Sequence, residues 1–159
     1  MTPSKRATPE SKRETLDPEL GPHGVWYRLF TLTNILSRPF QKNVAKQYSL
    51  SPADWCVLNT LVYMPGVASH EICKISGLIP MNVSRAVSAV RKRGLIREQI
   101  DPDNRKRKLL SLTPEGLALY RKVAPHARRE TKFMLEGMSR EEVATLGSLV
   151  ERLIARLES

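Results

Sequence analysis

The stretch PMNVSRAVSAVRKRGLIREQIDPDNRKRKLLSLT, residues 80–113, carries the pattern that decides the fold. Its first residue is a proline, which suits the first position of a helix, and Gly94 lies where a glycine commonly ends one. Four apolar residues between them recur at the spacing of one helical face: Val83, Ala86, Val87 and Val90. The opposite face carries Met81, Arg85, Ser88 and Lys92. The stretch therefore predicts a helix with one face in a core and with donors and cations on the other.

A β-hairpin is predicted directly after this helix. The segments LIREQI (95–100) and KLLSLT (108–113) are short and rich in apolar residues, and the turn between them is rich in Asp, Pro and Asn. Four consecutive cations, residues 105–108, follow that turn. We therefore expect Arg105, Lys106 and Arg107 at or beside the tip of the hairpin.

The positive charge of the chain is concentrated in the same region. The 159 residues carry a net charge of +10, and residues 85–108 hold nine cations against three acids. Such a concentrated patch is typical of a surface that binds nucleic acid. Another helix is predicted before this region, from about Ser69 to Ser76, and a short turn joins the two helices. Helix, turn, helix and cationic hairpin together predict a winged helix-turn-helix, whose second helix enters the major groove while the wing reaches the flanking backbone or minor groove.

Two helices are predicted before this unit. The first carries an apolar stripe that Pro39 should kink or interrupt. The members of the stripe are Val25, Leu29, Leu32, Leu36 and Phe40. The second begins at Ser51-Pro52, with Asp54 as an acid in the first turn, and ends near Tyr63.

Two long helices are predicted after the hairpin. Thr113 and Pro114 begin the first, in which Pro125 indicates an irregularity, and Ser139 with Glu142 forms a capping box for the second. Apolar residues in the second follow a coiled-coil-like seam: Val143, Leu146, Val150, Leu153 and Leu157. Such a seam can pack on its own chain or join two chains. Two helices outside a winged-helix core favour dimerisation.

Several other classes of protein are not indicated. Cys56 and Cys73 form no CxxC motif and have no His at metal-ligand spacing, so we expect no disulfide framework, no metal and no cofactor. The chain lacks a membrane-spanning apolar run and a signal-peptide core, which indicates a cytoplasmic protein with no membrane partner. It lacks a P-loop, a nucleophile elbow and an HExxH motif, so we do not expect an enzyme.

The sequence VASHEICKISGLIPMNVSRAVSAVRKRGLI, residues 67–96, resembles without a gap the helix-turn-helix of the MarR-type transcriptional regulators. The segments LSPADWCVLNTL (50–61) and LLSLTPEG (109–116) match the sequences that flank it in those proteins. The similarity covers residues 25 to 158, which is nearly all of the chain outside the N-terminal tail.

This resemblance implies a mostly α homodimer with two winged DNA-binding lobes beneath a shared helical dimerisation domain. It implies that residues 80–93 form the recognition helix and residues 101–108 the wing, and many members are repressors released by a small, often aromatic or phenolic, ligand. Family wings commonly carry an Asp-x-Arg pair shortly before the Thr of their LT sequence. Here Asn104 and Lys106 stand at those places, while Asp103 and Arg105 come one residue earlier. We therefore expect a longer turn or a weaker brace in this wing.

The predicted fold class is mainly α with a small β-hairpin wing. It has a flexible tail at 1–22, an N-terminal dimerisation helix at 23–50, a winged helix-turn-helix domain at 51–113 and C-terminal dimerisation helices at 114–159. The predicted function is sequence-specific transcriptional regulation, as a homodimeric repressor that binds a pseudo-palindromic double-stranded DNA operator and is released by a small aromatic or acyl-CoA-type ligand. A ligand-independent DNA-architectural protein and a cysteine-based redox-sensing regulator are the alternatives.

The predicted DNA contacts are Met81, Asn82, Ser84, Arg85, Ser88, Lys92, Arg105, Lys106 and Arg107. Arginine is the best donor to guanine O6 and N7, so Arg85 is the main candidate for base readout, and the wing cations should mainly contact phosphate. The candidate ligand-binding residues are Trp26, Phe30, Arg38 and Trp55. Aromatic residues at helical spacing are also typical of a core.

Overall fold

The computed structural model describes residues 17–158 of the chain. The predicted flexible tail at 1–22 lies mostly outside this range, and the part inside it contains a short 3-10 helix, Pro18–Leu20. The chain divides into two units, one up to Leu36 and one from Ser37 onward.

The described residues form seven α-helices and one two-stranded antiparallel sheet. The predicted mainly α fold with a β-hairpin is therefore confirmed. The elements are α1 (Val25–Phe40), α2 (Lys46–Tyr48), α3 (Pro52–Tyr63), α4 (Ser69–Ser76), α5 (Pro80–Lys92), β1 (Ile96–Ile100), β2 (Lys108–Leu112), α6 (Pro114–Met134) and α7 (Arg140–Leu157).

The predicted helix starts are confirmed by their capping hydrogen bonds. At α3, the Asp54 amide donates to Ser51 Oγ at 3.1 Å, and the Ser51 amide donates to an Asp54 carboxylate oxygen at 2.8 Å. At α6, the Gly116 amide donates to Thr113 Oγ1 at 3.1 Å. Ser139 and Glu142 form the same reciprocal pair at α7. These bonds satisfy backbone amides that have no partner within the helix.

The two internal prolines have different consequences. After Pro39 the α-helix ends at Phe40, and the chain continues as a π-helical segment, Gln41–Ala45, before α2. The predicted interruption is therefore found. Helix α6 instead continues through Pro125 without a break. A proline removes one backbone donor, and the rest of the α6 hydrogen-bond pattern is sufficient to continue the helix there.

One hydrophobic core lies among α3, α4, α5, the hairpin and α6. The predicted inner face of α5 is buried in it, including Val83 and Val90, which are completely inaccessible to solvent. The largest fully buried side chains are Leu50, Leu58, Leu61, Ile72 and Leu110. Because most of these belong to short helices that pack on one another, this core fixes the position of α5.

The hairpin is attached to the core at its base. Strand β1 pairs with β2 so that Ile96 lies opposite Leu112, and Val67 forms an additional bridge to Leu110. Leu110 donates its amide to the Val67 carbonyl at 2.9 Å and accepts from the Gly66 amide at 2.8 Å. The loop between α3 and α4 thus holds β2 in place.

Helix α7 is exposed along most of its length within one chain. None of its residues is buried, and its apolar seam is open to solvent from Leu146 onward, while Val143 is half-buried. No helix among residues 17–158 has the length and apolar character needed to cross a membrane.

Gly116 sets how closely α6 approaches the hairpin. A Cβ atom at this position would lie 2.0 Å from the Leu95 carbonyl oxygen and 2.9 Å from the Leu95 carbonyl carbon. Both are backbone atoms at the start of the hairpin, so they cannot move aside as the end of a flexible side chain can. The close contact therefore requires glycine.

We expect Gly116→Ala to lower the free energy of unfolding by about 1–3 kcal/mol, because the added methyl overpacks a backbone contact. Gly147→Ala is the matched control, since a Cβ there has nothing within 4 Å. In the middle of α7 it should stabilise the helix by roughly 0.5–1 kcal/mol. Urea unfolding at one protein concentration measures both, and equal effects of the two substitutions would contradict the role of Gly116.

Candidate nucleic-acid interface

Helix α5 presents a polar face to solvent opposite its buried face. Met81, Asn82, Ser84 and Arg85 are exposed, and Ser88 is half-buried. Lys92, near the end of the helix, is also exposed. Helix α5 is thus held in the core by one face and carries the predicted base-reading side chains on the other, where they are exposed.

The turn of the hairpin is held by its own hydrogen bonds. The Asp101 amide donates to the Arg107 carbonyl at 2.9 Å, and the Asp103 amide donates to Asp101 Oδ1 at 3.0 Å. The Lys106 amide donates to Asn104 Oδ1 at 3.1 Å. Because side chains of the turn accept hydrogen bonds from its own backbone amides, these bonds hold the backbone conformation of the tip.

Arg107 braces this turn against the rest of the domain. Its Nη1 donates to Asp101 Oδ2 at 3.0 Å, and its Nη2 donates to Glu71 Oε2 at 2.6 Å. Asp101 is only 6 % exposed. The sequence predicts Arg107 as a DNA contact, whereas in the structure its guanidinium is half-buried and paired with two carboxylates.

Glu71 takes part in a second interaction at the same oxygen. It accepts the Ala68 amide at 2.8 Å at the start of α4. This backbone hydrogen bond, followed by the one from Arg107, holds the pKa of the Glu71 carboxyl below its ordinary value. Glu71 therefore stays charged at neutral pH and joins α4 to the wing.

The expected Asp-x-Arg brace is replaced by a wider pair. Asn104 and Lys106 stand where the related wings carry that pair, and Asn104 closes the turn instead. The bracing pair here is Asp101 with Arg107, one at each end of the turn. The turn of this wing is thus braced at its base by Asp101 and Arg107.

The structure divides the nine cations of residues 85–108 into two groups. Arg91 and Lys108 pair with Glu98 at 2.7 and 3.5 Å, and Arg93 donates to the carbonyls of Tyr48 and Ser49 at 3.0 and 2.7 Å. With Arg107, four cations are thus engaged. The other five are exposed, and their side chains form no ion pair or hydrogen bond with the described part of the chain: Arg85, Lys92, Arg97, Arg105 and Lys106.

Arg97 is a further candidate for a DNA contact and is not among the predicted residues. It lies on β1 opposite Ser111, and its side chain is exposed. In the sequence Arg97 follows two apolar residues, and this position alone does not indicate that its side chain is exposed. The strand register could have found it, because alternation along β1 places Ile96 inward and Arg97 outward.

The four predicted ligand-binding residues fall in two units. In the first unit, Trp26 and Phe30 stack with their ring centroids 5.7 Å apart, and both are exposed. In the second, Arg38 is exposed, and Trp55 is half-buried and stacks on Tyr120 at 5.1 Å. Desolvation raises the pKa of Tyr120 to about 12. The Tyr120 hydroxyl is within donating distance of both Asn59 Oδ1 and the Tyr63 hydroxyl, at 3.4 Å each.

The two cysteines are free and half-buried. Burial raises the pKa of the Cys56 thiol. Because the thiolate is the reactive form, this shift opposes the reactivity that a redox sensor needs.

Comparisons with known proteins agree with this geometry. A family model described as a winged helix DNA-binding domain matches residues 50–116. The homoprotocatechuate degradative operon repressor of Escherichia coli is 24% identical over 113 residues, which are 70% of this chain and 76% of that protein.

Solved structures of regulators share the fold. A MarR-family transcriptional regulator from Silicibacter pomeroyi superposes with a TM-score of 0.77 at 22% identity, covering 87% of this chain and 93% of the other. The PcaV transcriptional regulator from Streptomyces coelicolor, solved with its natural ligand, gives a TM-score of 0.73 at 25% identity, covering 87% and 94%.

The two arginines of the wing should behave differently in DNA binding. Arg105→Gln should lower the slope of log K against log salt concentration by about 0.9 for one lost phosphate contact. Arg107→Gln should leave that slope unchanged but lower the free energy of unfolding, since Asp101 and Glu71 lose their partner. Titration of duplex DNA at several salt concentrations, together with urea unfolding, separates the two effects. Equal slope changes would show that Arg107 also contacts the backbone.

Proposed function

We propose that this winged helix transcriptional regulator of the MarR type binds a pseudo-palindromic operator as a homodimer and represses transcription until a small ligand releases it. The proposal rests on one observation: some cations of residues 85–108 are paired with carboxylates of the domain, whereas others are exposed and have no side-chain partner. Braces from Glu71, Glu98 and Asp101 fix the frame of the interface. The exposed cations without partners, Arg85 on α5 and Arg105 on the wing among them, are left to meet DNA.

The two elements have different tasks in this proposal. Helix α5 presents Arg85, Asn82 and Ser84 on its exposed face, which suits hydrogen bonds to base edges in the major groove. Arg105 and Lys106 at the wing tip suit phosphate or the minor groove. A braced wing with a rigid turn loses little conformational entropy when it binds.

A second copy is the proposed partner of the exposed apolar helices. Leu153 is 45% exposed and Leu157 is 87% exposed within one chain. In the first unit, α1 leaves Leu29, Leu32 and Leu36 exposed in the same manner. Apolar stripes of this length rarely remain in water, and an isologous interface would cover them on both chains. Residues 23–50 and 114–159 would then be the dimerisation parts and 51–113 the DNA-binding part.

The repressor role and the ligand are supported by the relatives. One is a repressor of the homoprotocatechuate degradative operon, and one was solved with its natural ligand. In this chain the stacked rings of Trp55 and Tyr120 provide aromatic surface that suits a flat aromatic ligand. Operation in the cytoplasm, where the operator is, belongs to the same proposal.

Base readout by α5 is tested by selecting binding sites from a random duplex pool. Arg85→Ala should relax the preference at one base position in each half-site, at a cost of about 1–3 kcal/mol there. Arg85→Lys is the control, because it keeps the charge but loses the planar bidentate donor, so it should retain general affinity and lose the preference. If the parent protein selects no sequence and coats duplexes uniformly, it is an architectural protein instead.

The dimer is tested at the seam of α7. Leu153→Asp would place an unpaired carboxylate at two related places of an apolar interface, so the variant should be monomeric and should lose operator binding where the parent is saturated. Ser148→Asp adds the same charge on the opposite face of α7 and should change neither property. Sedimentation measures the assembly, and circular dichroism checks folding. A dimeric Leu153→Asp protein with normal binding would place the interface elsewhere.

A further inference from the structure

A polar cavity of 680 Å³ lies between the segment that follows α1 and the second half of α6. Lys42 and Asn43 of the π-helical segment and Lys46 of α2 line one side. His126, Arg129 and Glu130 of α6 line the other. The whole lining belongs to the unit that begins at Ser37.

The charges of this cavity are not balanced. Three cations, Lys42, Lys46 and Arg129, face one carboxylate, Glu130, which accepts a hydrogen bond from Asn43 Nδ2 at 3.3 Å. Arg129 donates to His126 Nδ1 at 2.8 Å. Within the described part of the chain, the side chain of neither lysine forms an ion pair or a hydrogen bond. Two lysines beside an arginine in a concave site create a positive potential that favours a bound anion.

The backbone explains why these side chains converge. An α-helix that continued regularly from α1 would place them differently, whereas the π-helical turn after Pro39 widens the helix at Gln41–Ala45. Lys42, Asn43 and Lys46 thereby line the same cavity. Isolated π-helical turns of this kind occur frequently at functional sites.

We propose that this cavity binds a small molecule with two or more negative charges, carried by a phosphate ester or by several carboxylates. Its volume falls in the range of small-molecule sites, roughly 300–1,000 Å³. Arg129 supplies a planar donor pair for a phosphate or carboxylate, and the lysines supply point charges. The aromatic rings of Trp55 and Tyr120 are not part of this lining, so the site is distinct from those rings.

The cavity is connected to the recognition helix by a short series of contacts. The Tyr48 hydroxyl lies 3.5 Å from His126 Nε2, and the two rings meet edge to face at 5.9 Å. The backbone carbonyls of Tyr48 and Ser49 accept hydrogen bonds from Arg93, the C-cap residue of α5. An anion that draws Lys46 and His126 toward it moves the segment that anchors the end of α5. This regulatory step rests on the proposed function, and we expect occupancy to lower DNA affinity.

Binding is tested on the full-length protein without DNA, by calorimetric titration with inorganic pyrophosphate and, separately, with citrate. Sodium chloride of equal ionic strength is the blank. The parent should bind at least one of the two probes, and the probe that binds identifies phosphate or carboxylate as the preferred group. Lys42→Gln with Lys46→Gln should weaken that binding on the order of tenfold or more, because two charge-assisted contacts are lost. Lys122→Gln with Lys132→Gln removes the same charge from exposed positions on α6 outside the cavity and should change nothing.

Two results would overturn the proposal. One is the absence of binding of either probe above the chloride blank. The other is equal binding by the cavity variant and the parent. If the parent binds neither probe and the cavity variant binds DNA with a smaller salt slope, the two lysines belong to the DNA interface.

Coupling is tested with a duplex chosen by selection on the parent. The bound probe should lower duplex affinity by roughly fivefold or more, and the duplex should lower probe affinity by the same factor. Arg93→Gln should keep the affinity for the probe and lose this coupling, which a purely structural role would not predict. Independent binding of probe and duplex to the parent would overturn the regulatory step. A parent that binds the probe but no duplex would refute the proposed function and leave the anion site standing.

Discussion

One guanidinium both closes the turn of the wing and ties it to α4. Arg107 pairs with Asp101 across the base of the turn and with Glu71 on α4, which adds a side-chain attachment to the backbone bridge between Val67 and Leu110. Because Glu71 also accepts the Ala68 amide, the same carboxylate fixes the start of α4. The angle between the wing and the helices therefore depends on this junction. Breaking it would leave a buried carboxylate at Asp101 without its partner, which is costly.

This bracing also solves a problem of charge. Nine cations in 24 residues repel one another, and the repulsion opposes a compact domain. Glu71, Glu98 and Asp101 neutralise cations near the base of the hairpin and at the end of α5. The remaining positive charge stays on the exposed face of α5, on β1 and at the wing tip. The domain is thus stabilised where it is packed and remains cationic where a polyanion can approach.

Stability within one chain is concentrated in its centre. The core that includes Leu58, Ile72 and Leu110 is fully closed to solvent, and the contact of Gly116 with Leu95 joins α6 closely to it. Helix α7 contributes no buried residue. The centre of the chain is therefore closed to solvent while its outer helices leave apolar side chains exposed, and this contrast is the reason for proposing a second copy as their partner.

The sequence by itself determined the main helices and the hairpin, because these depend on local signals, whereas the π-helical form of Gln41–Ala45 and the unbroken course of α6 through Pro125 were not predicted. The spacing of apolar residues, the caps at Ser51 and Thr113 and the interruption after Pro39 all act within a few residues, and each was found as predicted. The Asp101–Arg107 pair could have been read from two opposite charges that flank one turn. Only the tertiary structure decided that Arg107 reaches Glu71, 36 residues away. It also decided which cations remain free and that the segment after α1 meets α6 in a cationic cavity. Such contacts join segments that are distant in the chain, and no periodicity or spacing in the sequence records them.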